Sequence, residues 1–169
     1  MSGMLGISMF LVGAVLLLNG LMLKGVIHKK PTGVFNFLVG LFCMLMAFNN
    51  HIRAAQMSDH LATANTLLFA FTYFMVAANS LFGFDGKALG WFSLYVAVAT
   101  IPNFIISFLQ HSPLMGIIWI AWGFLWFLFF LSGALANKTA ANMAPYASMI
   151  VGVVFTGIPG YMALFELIS

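Results

Sequence analysis

Charge in this chain is confined almost entirely to the gaps between six apolar runs. The runs cover roughly 4–23, 33–50, 61–82, 91–109, 114–135 and 144–167, and only the last holds a charged residue, Glu166 near its end. Each is close to the 20 or so residues a helix needs to cross about 30 Å of hydrocarbon. Breakers separate them: Lys29-Lys30-Pro31-Thr32-Gly33, Ser58-Asp59-His60, Gly83-Phe84-Asp85-Gly86-Lys87, Gln110-His111-Ser112-Pro113 and Asn137-Lys138-Thr139. Hydrocarbon leaves backbone groups no outside partner, so the runs predict an all-α polytopic membrane protein, a bundle of six transmembrane helices.

Composition narrows the class further. Six basic and three acidic residues in 169, with 63% hydrophobic, fall far below the quarter or so of charged residues in a soluble domain. A net charge of +3 from so few residues points to neither nucleic acid nor an acidic partner. Every connection is short, so residues 1–169 are expected to form one integral membrane domain in contact with lipid. The first run lacks a basic leader and an A-x-A-like site and reads as a retained span. Cys43 lies in an apolar run and reads as a buried thiol.

The basic residues orient the chain. Lys24, Lys29 and Lys30 lie around the first connection, Lys87 at the third and Lys138 at the fifth; Arg53 alone lies at the second. The positive-inside rule makes the lysine-bearing side cytoplasmic and leaves both termini outside. Trp91 and Tyr146, near predicted membrane faces, read as interface anchors.

Carriers driven by ion gradients usually carry ionisable side chains within their spans. No Asp, Glu, Lys, Arg or His stands in the centre of any run here. There is no H-E-x-x-H, no G-x-S-x-G and no intramembrane carboxylate pair, so no enzyme and no cofactor are expected. His51, His60 and His111 share the outer side, but scattered loop histidines are ordinarily solvated and no metal site is expected.

Neutral groups remain. Trp119, Trp122 and Trp126 follow i, i+3, i+7 spacing and form one stripe of about 10 Å inside the fifth run. Indoles at that depth are expected to face protein or a cavity. Asn19, Asn36, Asn49, Asn79 and Asn103 need partners in hydrocarbon, and interhelical hydrogen bonding is expected for most. Asn19 follows the stripe Leu5, Met9, Val12, Leu16 and is the best candidate to meet a solute. Gly6, Gly13 and Gly20 repeat every seven residues, a spacing suited to close helix contact. Thr100-Ile101-Pro102 and Thr156-Gly157-Ile158-Pro159 echo each other, weak evidence for repeated two-helix hairpins, and both prolines are expected to kink their helices.

Several blocks together resemble the AmiS/UreI family of bacterial amide and urea channels. They are Met4-Leu5-Gly6 with Leu18-Asn19-Gly20, the run 67–73, Phe82-Gly83-Phe84-Asp85, Trp91-Phe92-Ser93-Leu94-Tyr95 with Thr100-Ile101-Pro102, the run 117–123 with Leu125-Trp126, and Ile158-Pro159, all in the family's order. The resemblance implies six helices and a pore in each protomer, assembly as a hexameric homo-oligomer, and the cytoplasmic (inner) membrane. It implies pore roles for Trp119 and Trp126 with Trp122 and Leu125 beside them, for Leu5, Met9, Val12, Leu16 and Asn19, and for Phe71. Met75 and Val151 depart from the acid-gated urea channel, which has tyrosine and glutamate there. Its long outer loops, rich in His and carboxylates, are also short here, which points to a pore open over a broad pH range.

The expected function is passive passage of urea or short-chain amides through an aromatic slot, with indole N–H groups and Asn19 replacing lost hydration. A cytoplasmic urease or amidase would maintain the gradient, by the same resemblance. The rival readings are a non-transporting membrane scaffold or assembly subunit and a gradient-coupled carrier.

Overall fold

A computed structural model describes residues 3–167; residues 1, 2, 168 and 169 of the single predicted domain lie outside the described residues. The elements are α1 (Gly3–Leu23), α2 (Lys29–Ile52), α3 (Met57–Phe82), α4 (Lys87–Leu109), α5 (Pro113–Gly133) and α6 (Lys138–Gly152). A π turn (Val153–Gly157) joins α6 to α7 (Ile158–Leu164), and the three together make the sixth span. Among the described residues six helices are therefore long and apolar enough to cross a membrane.

Most helices start earlier than the apolar runs suggested because polar residues cap them. Pro31 fits the first turn of α2, where its missing N–H costs nothing. Asp59 accepts hydrogen bonds from the Ala55 and Gln56 backbone N–H groups and closes a capping box at α3. Asn137 accepts from the Ala140 N–H and caps α6.

The helices form a closed ring in chain order. Each packs on its neighbours in sequence, and the sixth span packs back on α1; among the described residues no backbone contact joins helices on opposite sides. The outer faces carry exposed Phe10, Leu41, Phe48, Ile105, Ile120 and Phe124, while Asn36, Ser93, Ser148 and Thr156 are fully buried. That inversion of a soluble protein's pattern suits a chain whose surroundings are lipid.

Three seams of the ring, α2–α3, α4–α5 and sixth span–α1, are close contacts through small residues. A Cβ on Gly90 of α4 would collide with the backbone of Gly133 and Ala134, and one on Gly13 of α1 with Gly157. The predicted glycine repeat of α1 is thus a packing face. Gly20, Gly13 and Gly6, seven apart, approach the carbonyls of Pro145, Gly152 and Gly160. Those partners are spaced seven and then eight residues apart, and the eighth is absorbed by the π turn. Such a turn inserts one residue without losing the facing side. The kink expected at Pro159 is therefore a local change of register immediately before the proline, which has no N–H to give. Pro102, in contrast, lies within a continuous α4.

The other three seams are each bridged by one polar pair. Asn19 and Asn36 join α1 to α2 by reciprocal amide hydrogen bonds of 3.0 and 2.7 Å. Asn65 and Asn103 join α3 to α4 by the same arrangement at 2.7 and 3.1 Å. Trp122 Nε1 donates to Thr156 Oγ1 at 2.9 Å and joins α5 to the sixth span. Ser148 Oγ adds a bond to the Leu16 carbonyl between α6 and α1, at 2.8 Å.

Candidate functional site: a cavity ending in an aromatic cluster

A cavity of about 320 Å³ enters the ring from the end where the first, third and fifth connections meet. Its mouth carries Lys29, Phe84, Asp85 and Gly86. Gly83 and Gly86 give this rim its shape: both adopt φ near +75°, which glycine alone takes without strain. Deeper in, the walls are Asn19, Met22, Thr72, Tyr73, Val76, Asn79 and Phe129, and the cavity ends at Leu16, Phe69, Trp122, Leu125 and Trp126.

The closed end is an aromatic cluster. The Phe69 ring on α3 lies 4.8 Å, centroid to centroid, from both Trp122 and Trp126, at 76° and 64° between planes. Trp119 meets Trp122 edge to face at 4.9 Å and stands beyond Phe69, outside the lining of this cavity. Edge-to-face packing sets the positive rim of one ring on the negative face of another, a favourable contact that rotamer changes can undo.

The predicted stripe on α1 is present in sequence order. Leu16 and Asn19 line the cavity; Met9 and Val12 continue it, buried, toward the opposite end, where Leu5 is partly exposed. Trp126 and Leu125 are also on the lining, both nearly buried. Phe71 is not: it points away from the ring, 44% exposed. Two residues along a helix turn a side chain through about 200°, so Phe69 takes the inward place assigned to Phe71. The same shift makes Tyr73, rather than Met75, the inward position one turn later. Val151 is buried in the core and borders a groove between α5 and α6. Neither Met75 nor Val151 is among the residues lining this cavity.

Several polar groups aim at the cavity. The Tyr73 hydroxyl, the Trp126 indole N–H and the Asn79 amide have no hydrogen-bond partner among the described residues, and no buried side-chain nitrogen or oxygen is left unpaired. Their polar atoms therefore touch open space. Asn19 differs from expectation, because Asn36 occupies its carbonyl and one of its two N–H bonds. Trp122 differs more: Thr156 takes its only donor, leaving the ring face alone to the cavity. Tyr73 and Phe69 escaped the sequence reading, although Tyr73 with Ser80 and Thr72 with Asn79 recur at i, i+7 and mark a polar stripe on α3.

Ionic groups stay at the edges. Asp85 and Lys29 stand at the mouth, and Asp85 Oδ1 accepts the Lys87 backbone N–H. At the same end Lys24 Nζ donates to the Tyr146 hydroxyl at 2.7 Å, tying α1 to α6. At the far end His51 and His60 are neighbours, ring centroids 5.5 Å apart, but no group of three metal-ligating side chains occurs among the described residues.

The chain resembles known proteins over nearly its whole length. The sequence profile of the AmiS/UreI family of transporters matches residues 4–167. The acid-activated urea channel of Helicobacter pylori is 33% identical, covering 96% of this chain and 98% of its own. A protein of Rhodococcus erythropolis named as transporter protein AmiS2 is 34% identical, covering 94% of this chain and 78% of its own. The crystal structure of the Helicobacter pylori urea channel superimposes with a TM-score of 0.86 at 29% identity, over 98% of this chain and 99% of the other. The cryo-electron microscopy structure of that channel in its closed state gives 0.82. This chain is accordingly a multi-pass bacterial membrane protein and a member of the AmiS/UreI family of transporters.

Proposed function

We propose that the protein is a passive channel for small, neutral, planar solutes, urea and short-chain aliphatic amides. One observation carries the reading: a cavity with charge only at its mouth, walled deeper in by uncommitted hydrogen-bonding groups of α3 and α5, runs from one face of the ring to an aromatic cluster at its middle. Tyr73, Trp126 and Asn79 replace part of the hydration a urea or amide gives up, a loss costing several kcal/mol if uncompensated. Leu16, Val76, Leu125 and Phe129 offer apolar wall to an alkyl end. An ion would face a desolvation cost on the order of tens of kcal/mol with no fixed charge at depth to offset it.

The rings meet at the cluster, so a solute crosses when Phe69 or the indoles turn aside and close behind it. Beyond them, Trp119, Val12, Met9 and Leu5 form the remainder of the path. The relatives support this substrate class by their names, since one is an acid-activated urea channel and another a transporter of amidate substrates. The same proposal takes in one such path per protomer, a homo-hexameric ring and residence in the cytoplasmic membrane, as the family resemblance implies. The lysine-bearing end, where the cavity opens, is then cytoplasmic and both termini are outside. A urease or amidase on that side would draw the solute inward.

A solute panel tests the proposal. Purified protein in liposomes is expected to speed equilibration of urea, formamide and acetamide in stopped-flow light scattering, and glycerol much less. Panel rates equal to those of protein-free liposomes would favour a scaffold.

A further inference from the structure

We infer that Thr156 is a positioning residue that sets the bore of the channel by fixing the Trp122 ring. The inference rests on the channel reading above and extends it to a residue that touches no solute. Thr156 is completely buried, at the middle of the ring. Its hydroxyl accepts from Trp122 Nε1 at 2.9 Å and donates to the Val151 carbonyl at 2.8 Å. An indole has one donor and no acceptor, so this is the ring's one directional hydrogen bond, added to its packing against Phe69 and Trp119. Trp122 carries the end wall of the cavity on that ring and meets both Phe69 and Trp119 edge to face. A rotation of Trp122 therefore moves the cluster as a whole.

The π turn explains why a threonine does this from a neighbouring span. A buried helical threonine ordinarily returns its hydroxyl to a carbonyl three or four residues back, as Thr72 does to Leu68 and Thr100 to Ala97. Thr156 reaches five back, to Val151. The turn is held by its backbone contacts with α1, where a Cβ on Gly13 would collide with Gly157 and one on Gly152 with Leu16 and the Gly13 carbonyl. On the other side of α5, the Thr100 hydroxyl occupies the space a Cβ on Gly123 would need. Two threonines from flanking helices thus hold consecutive residues of α5, and Thr156 holds the one with a ring in the cavity.

The test compares Thr156→Val, which keeps shape and removes the hydroxyl, with Thr156→Ser, which keeps the hydroxyl. Each purified full chain is reconstituted, and urea and propionamide permeabilities are read alongside the ultraviolet resonance Raman signature of hydrogen-bonded indole. Thr156→Val is expected to lose one hydrogen-bonded indole signal. Its propionamide-to-urea permeability ratio should rise about threefold or more, the scale of one lost hydrogen bond. Thr156→Ser is expected to match the unsubstituted protein on both readouts. Should Thr156→Val fail to assemble, Trp122→Phe breaks the same bond from the other end and is expected to raise the ratio likewise.

Equal ratios in all variants would overturn the inference, as would an unchanged Raman signal in Thr156→Val. So would an equal loss of flux in the Val and Ser variants. Unsubstituted protein that passes neither solute would strike down the channel reading and the bore-setting role with it, whereas the Raman comparison would still report on the bond itself.

Discussion

Phe69 on α3 and Trp126 on α5 meet edge to face at 4.8 Å across the ring, although their helices share no backbone contact. The contact joins two helices that are not neighbours in the ring through side chains alone, so it can open without moving a helix. It also separates the cavity from the stretch walled by Trp119 and the first half of α1.

Removing the ring that crosses the middle should widen the path. Phe69→Ala is expected to raise urea permeability several-fold and to admit glycerol. Phe71→Ala, on the outer face, should leave both within about 1.5-fold, as surface substitutions usually do. Stopped-flow rates on the two variants decide whether α3 presents Phe69 or Phe71 to the solute.

Tyr73→Phe deletes a hydroxyl that has no protein partner and keeps the ring. Losing one hydrogen bond of about 0.5–1.5 kcal/mol should lower urea permeability roughly two- to tenfold. Assembly and thermal unfolding should be unchanged, which separates a role toward solute from a role in packing.

Asn36 is fully buried and bonded to both Asn19 and the Thr32 carbonyl. Asn36→Ala strands the Asn19 amide and should destabilise the folded protein by about 0.6–2 kcal/mol, the range for such bonds between membrane helices. A double-mutant cycle with Asn19→Ala should show that the two losses are not additive. Additive losses would mean the pair is not coupled.

Outer connections that are short and lightly charged leave little machinery for sensing acid. Asp59, the carboxylate nearest His60 in sequence, is committed to capping α3. Urea permeability at pH 5 and pH 7.5 is therefore expected to agree within about twofold. A several-fold difference would show that His51, His60 or His111 gates the path.

Much of this fold is legible in the sequence because lipid leaves so few choices. Uncharged runs mark six spans, and five lysines mark one end. The α1 stripe and the tryptophan stripe are both visible from helical spacing. What stays hidden depends on tertiary register. The eight-residue step from Gly152 to Gly160 becomes a π turn only when it meets the seven-residue glycine repeat of α1. In Phe69-Ala70-Phe71, composition offers two aromatics on opposite faces and does not say which faces inward; the polar stripe through Thr72, Tyr73 and Asn79 does. The partners of Asn19 and Trp122 lie 17 and 34 residues away, beyond any local pattern.

Passive passage is tested most directly by imposing gradients. Urea flux into liposomes holding the unsubstituted protein should follow the urea gradient alone. Proton or sodium gradients of either sign should leave it unchanged, and no ion conductance should appear. Flux that appears only with an ion gradient, or that never exceeds the protein-free rate, would contradict a passive channel.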